Sequence, residues 1–157
     1  MKITKKHIAG VVKKGNWIIR ADNDGVSYNN FKWLPIGEWT EAPDWNEKPK
    51  CGGGLHGQDK DYGGFIAGKR LVFCETKGKH IAIEDNKVKV KKARILLVNK
   101  LPAGLTAGER INLSGCTGLT TLPAGLTAGE WIDLSGCTGL TETPDTIRKK
   151  LNCEIYF

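Results

Sequence analysis

The sequence has no apolar run near the roughly 20 residues that a membrane-crossing helix needs. The apolar stretch at residues 8–12 is also too short for the hydrophobic region of a secretory leader. The chain therefore reads as cytoplasmic. Acidic residues are scarce: 17 Asp and Glu stand against 24 Lys and Arg, for a formal net charge of +7. Five cysteines (51, 74, 116, 137 and 153), an odd number spread over both halves, exclude the dense disulfide framework of a small secreted scaffold. The turn Asp22-Asn23-Asp24-Gly25 lacks the spacing and final Glu of a calcium loop. Gly52 to Gly54 have no Lys-Ser/Thr after them and no strand–helix context, so they are not a phosphate-cradling loop.

A tandem repeat dominates what is present. Residues 101–121 read LPAGLTAGERINLSGCTGLTT and residues 122–142 read LPAGLTAGEWIDLSGCTGLTE, identical at 18 of 21 positions. They differ at Arg110/Trp131, Asn112/Asp133 and Thr121/Glu142. The alternation Arg110-Ile111-Asn112-Leu113 has the period of a half-buried strand, with Ile111 and Leu113 on the inner side. Pro102 and Pro123 bar a long helix from the return segment. One such coil cannot cover its own leucines, so coils must stack. The wording LSGCTGLTTLP resembles the leucine-rich repeat, which implies a short solenoid. Adding 21 to the strand positions predicts a degenerate last coil over residues 143–157. It also predicts two outward ladders, Arg110–Trp131–Asn152 and Asn112–Asp133–Glu154. These six are the candidate partner-contact residues, with Trp131 as anchor, because aromatic and Arg residues are favoured at interface centres. Drift of unconstrained surface positions after a duplication is the alternative. Cys116 and Cys137 occupy equivalent inner positions and read as buried reduced thiols.

The basic excess lies upstream. Residues 1–100 hold 20 Lys and Arg against 11 Asp and Glu; residues 101–157 hold 4 against 6. The run Lys87-Val88-Lys89-Val90-Lys91 reads as a strand with valines inside and a charged outer face. That face is either solvated or able to meet phosphates, which keeps nucleic acid among the partner classes. Residues 1–15 fit a short strand or helix. Residues 16–20 form a strand, and residues 26–34 return beside it as a hairpin. RLVFCE at 70–75, HIAIE at 80–84, residues 87–91 and residues 93–98 read as a meander running into the repeats, so that both halves share one sheet and one core.

Four of the five tryptophans (17, 33, 39 and 45) lie in the upstream part, as core material or as a stacking platform for a ligand. Cys51 with His56, together with Cys74 and His80, makes a four-ligand set for zinc. Cys51 and His56 alone make a nucleophile–base pair with no acid marked to orient it. GEW at 37–39, PDW at 43–45, CGGGLHG at 51–57 and the KVKV strand together resemble an uncharacterised domain of phage and bacterial proteins over about residues 16–98. That resemblance carries no activity, and it implies a phage or other mobile element.

The sequence thus describes a mainly β protein: a β-rich basic cap at 1–98, continuous with a leucine-rich-repeat-like stack at 99–157. The expected function is non-enzymatic binding of a host protein or nucleoprotein, inhibition of host defence being one such use, without a cofactor. Zinc binding and nucleic-acid binding are the rivals.

Overall fold

A computed structural model describes residues 2–27 and 30–157. Fourteen elements follow one another: α1 (Lys5–Lys14), β1 (Trp17–Asp22), β2 (Thr40–Glu41), β3 (Leu55–Gly57), β4 (Arg70–Lys77), β5 (Ile81–Ile83), β6 (Lys87–Val90), β7 (Lys92–Val98), β8 (Thr106–Ala107), β9 (Arg110–Asn112), β10 (Thr127–Ala128), β11 (Trp131–Asp133), α2 (Pro144–Lys150) and β12 (Glu154–Tyr156). The protein is mainly strands, arranged in several small sheets, and none of its described helices is long and apolar enough to cross a membrane.

Lys5–Lys14 settle as a helix because both ends are capped. The Thr4 hydroxyl accepts the His7 N–H at 3.1 Å, and Gly15, at φ 70°, closes the last turn onto the Val12 carbonyl. Next comes an antiparallel sheet in the order β1-β4-β7-β2. Period-two alternation sorts its side chains onto two faces. Trp17, Ile19, Ala21, Leu71, Phe73 and Leu96 join the larger core, which also holds Leu105, Ile111, Leu113, Ile132 and Ile155 of the repeat half. Ile18, Val72, Cys74 and Ile95 join a second core with Val88 and Val90. The sheet is therefore buried on both faces, between the repeats and a three-stranded sheet β3-β6-β5.

Several expectations are corrected here. β1 pairs with β4 along its whole length, and the described residues of 26–34 form no returning strand. Only single bridges, Asn23 to Val26 and Val26 to Lys32, follow the turn, while Tyr28 and Asn29 of the expected strand lie outside the described residues. The meander is also broken. β4 pairs with β7, and β5 and β6 leave as a hairpin into the other sheet. The halves share a core across residue 98 but not a continuous sheet.

In the repeat half, β9, β11 and β12 form a parallel ladder, and β8 and β10 form a second short one. Arg110, Ile111 and Asn112 face Trp131, Ile132 and Asp133, a register of 21 residues. The last rung departs from that period: Trp131 faces Glu154 and Asp133 faces Tyr156, an offset of 23. The cause is α2, which starts on a Thr143 cap with Pro144 in its first turn and buries Ile147 before the chain reaches β12. The outward ladders are thus Arg110–Trp131–Glu154 and Asn112–Asp133–Tyr156, and Asn152 belongs to neither. Gly115, at φ 76°, supplies the left-handed turn after the first repeat strand. Cys116 and Cys137 are buried and unlinked. Burial pushes their thiols up to about 12 and about 11, and Cys137 Sγ donates to the Leu113 carbonyl at 3.0 Å.

Candidate functional site

Two surfaces have the chemistry to meet something else. The first is the outward side of the parallel ladder. Trp131 is half-buried, with Arg110 stacked at 5.7 Å from its ring centroid and Tyr156 edge-on at 5.8 Å. Arg110 Nε also donates to Glu130 Oε2 at 2.8 Å, while Glu154 and Tyr156 are exposed. Asn112 and Asp133 of the second outward row are committed internally. Asn112 Oδ1 accepts from the Ser114 amide and hydroxyl, and its Nδ2 donates to the Gly64 carbonyl at 3.1 Å. Asp133 Oδ1 accepts the Ser135 amide at 2.8 Å.

Those contacts explain two of the three differences between the copies. Position 112 needs an amide, because a carboxylate has no donor for Gly64. Glu142 pairs with Lys150 of α2 at 3.1 Å, a partner that the first copy does not have at Thr121. Internal structure leaves the aromatic ring of Trp131 as the difference most free to serve an outside partner.

The proposed metal set does not assemble. Cys51 is exposed, and its amide is held by Glu84. Cys74 is fully buried in the second core, and burial pushes its thiol up to about 12. His80 is held by Asp59 at 2.7 Å and Thr76 at 2.8 Å. Among the described residues no three His, Cys, Asp or Glu are placed to hold a metal. The Asp59 carboxyl serves an internal turn. Burial raises its pKa, but hydrogen bonds from His80 and from the Asp61 and Tyr62 amides outweigh that and hold it below the ordinary range. Nor does Cys51 have a base: the His56 Nε2 accepts the Gly52 amide at 3.2 Å.

The Lys-Val-Lys-Val strand is corrected most sharply. Its lysines are buried, Lys87 at 6% and Lys89 at 0% exposure. Lys89 Nζ donates to Asn46 Oδ1 and the Gly52 carbonyl, both at 3.0 Å, beneath the loop that carries the three glycines. Lys87 and Lys89 of the expected basic face are therefore interior, because that loop folds over them, while Lys91 stays exposed.

The second surface is a cleft of about 1350 Å³ between that loop and the segment after β1. Arg20, Phe31, Trp33, His56, Phe65 and Lys87 are in its wall. The half-buried Arg20 lies 4.4 Å over the Trp33 ring and donates through Nη1 to the His56 carbonyl at 3.0 Å. Its Nε and the Trp33 indole N–H are both buried without a partner. Lys87 Nζ sits 4.2 Å over the Phe65 ring, and Lys87 forms no ion pair among the described residues. Asp22 in the same wall is already taken by Arg70, at 2.7 and 2.9 Å. Burial, then the charges of Lys87, Arg20 and Lys89, lowers the His56 pKa to about 4, so its ring is neutral near pH 7. Burial likewise lowers the pKa of Arg20.

Sequence reasoning missed Arg20, which alternates with buried residues in a strand and so reads as an outward charge. It placed Lys87 on a strand face either solvated or able to meet phosphates, not in the wall of a cleft. The tryptophans gave a partial signal. They do not form one cage: Trp17 packs on Phe73 at 5.9 Å, Trp39 lies under Arg94 at 4.6 Å and Trp45 is near Lys89 at 5.9 Å. Only Trp33 of the four both lines the cleft and carries a cation from it. Comparison of the chain with protein-family models, with curated proteins and with solved structures finds no match.

Proposed function

We propose that this chain is a non-enzymatic binding module that meets a protein partner on the outward face of its parallel ladder. The observation that carries this reading is the row Arg110–Trp131–Glu154, with Tyr156 against Trp131, beside β12. Among the described residues β12 pairs only with β11, which leaves its other edge without a strand. A half-buried tryptophan flanked by Arg and Tyr is the composition favoured at the energetic centre of an interface. The 21-residue register of β9 on β11 supports a leucine-rich-repeat-like stack as the scaffold for this face. The resemblance of residues 16–98 to a domain of phage and bacterial proteins supports a mobile-element source. The partner would then be a host protein or nucleoprotein in the host cytoplasm, and a defence component is one such target.

The test is the double variant Trp131→Ala with Tyr156→Ala in a pull-down from host lysate. Loss of at least about tenfold in capture is expected for a truncated hot spot. Undiminished capture of every partner removes the ladder face from the reading.

One observation favours nucleic acid as a second reading. Lys5, Lys6, Lys13 and Lys14 of α1 are all exposed and without an ion pair among the described residues. With the Lys87–Lys89 strand buried, α1 is where phosphates would be met. Retention on DNA that falls steeply with added salt would support it.

A further inference from the structure

We infer that the cleft walled by Arg20, Trp33, Phe65 and Lys87 is a binding site for a small ligand that joins a flat aromatic ring to a phosphate, the chemistry of a free mononucleotide. The inference stands apart from the ladder face and shares no residue with it.

The charge balance of the wall points to an anion. Arg20 and Lys87 both line the cleft, and among the described residues neither forms an ion pair. Asp22, an acid in the wall, is bound to Arg70 on both oxygens and also accepts the Gly25 amide, and Glu84, which feels the charge of Lys87, accepts the Cys51 amide. Asp44, the other acid lining the cleft, acts on the His56 ring, which is neutral near pH 7. Shielding cations from water without a counter-charge is costly, and an entering anion offsets that cost. The pairing each cation does have is with a π face, Arg20 with Trp33 and Lys87 with Phe65. Cation–π contact recovers part of the lost hydration while leaving guanidinium and ammonium N–H groups able to donate.

The aromatic rings argue for the flat half of the ligand. Phe31, Trp33 and Phe65 line one space, alongside Leu55 and Ile66. A flat ring can stack on these while its phosphate reaches the cations, the combination used wherever single bases are held without sequence reading. Phosphate is favoured over a single carboxylate because two separate cations flank the space, one on β1 and one on β6. The unpartnered Trp33 indole N–H is one more donor in the same wall, available to an acceptor after a small rotation of the Arg20–Trp33 stack.

Isothermal titration of the full chain with adenosine 5′-monophosphate tests the inference. Saturable one-to-one binding is expected, with adenosine alone and inorganic phosphate alone each at least about tenfold weaker, the loss of one stacked ring or one charge-assisted contact. A 5′-phosphorylated oligonucleotide should bind no better than the mononucleotide; tighter binding would transfer the site to nucleic acid and overturn the small-ligand assignment. Lys87→Gln and Arg20→Gln should each weaken the mononucleotide about tenfold or more while the thermal transition persists. Lys87→Gln keeps the test valid if the Arg20 variant does not fold. Absence of heat at millimolar mononucleotide, or unchanged binding in folded variants, overturns the inference. Trp131→Ala should bind the mononucleotide normally, so the cleft and the ladder face succeed or fail separately.

Discussion

The two repeat copies share 18 of 21 residues and yet sit in different surroundings. The first is covered by the upstream chain. The Gln58 side chain, 1% exposed, accepts the Asn112 amide at 2.9 Å and donates to the Asn112 carbonyl at 2.5 Å, taking the place of a preceding strand. The Lys60 carbonyl accepts the Gly108 amide at 2.6 Å. Gly63 lies so close that a Cβ there would collide with the Arg110 carbonyl. The second copy has a genuine strand, β12, on its far side and α2 above its leucines. The comparison teaches that two of the three differences between near-identical coils fall where their neighbours differ. Asn112 answers to Gly64, and Glu142 answers to Lys150.

The largest effects should be the same in both copies, because both inner rungs enter one core. Ile111 and Ile132 are 1% and 0% exposed and face each other in register. Ile111→Ala and Ile132→Ala should each lower stability by about 2–5 kcal/mol in denaturant unfolding, through lost burial and the cavity left behind. A loss at one site and none at the other would mean that the copies are not equivalent rungs.

Gln58→Ala should come next, and it should separate the copies. It strips the partner from both backbone groups of Asn112, and an unsatisfied buried group costs about 1–3 kcal/mol. Hydrogen exchange should speed at the Asn112 amide and stay slow at the Leu134 amide, which bonds to the Tyr156 carbonyl. Equal acceleration at both would show that the cover acts on the whole ladder and not on its first rung.

A reciprocal exchange sharpens the contrast further. Asn112→Asp removes the donor to Gly64 and brings a carboxylate against that carbonyl, a cost of about 1–2 kcal/mol. Asp133→Asn keeps the oxygen that the Ser135 amide needs and should stay within about 0.5 kcal/mol. Equal effects in thermal melts would return the 112/133 difference to neutral drift.

What the sequence disclosed follows from the range of each signal. The 21-residue period located the pairing of Ile111 with Ile132, and two-residue alternation located Ile111 and Leu113 on the inner side of their strand; both are local patterns. The last rung slipped by two residues because a Thr143 cap and Pro144 start a helix inside a coil that would otherwise repeat. Pairing of β4 with β7 around the β5–β6 hairpin has no local marker. Nor does the burial of Lys87 and Lys89, which depends on residues 44–54 folding across them. The cleft was least legible of all. Its wall brings together positions 20, 33, 56, 65 and 87, which no local pattern in the chain joins.

Acid should loosen the first copy before the second, and by the smallest margin of these effects. His56 lies in β3, two residues before Gln58, and its pKa is lowered from 6.5 to about 4, first by burial and then by Lys87, Arg20 and Lys89. A histidine with a depressed folded pKa binds fewer protons folded than unfolded. Its contribution is therefore full above pH 6.5 and is lost as pH falls from there toward 4. Part of the ring is open to water, so screening keeps the loss modest. Exchange at the Asn112 amide should accelerate between pH 6.5 and pH 4, once corrected for intrinsic rates, more than exchange at the Leu134 amide. In His56→Gln that pH-dependent difference should shrink. If the two amides respond alike in wild type, protonation near the cleft does not reach the Gln58 cover, and the separate footing of the two copies is purely a matter of local hydrogen bonds.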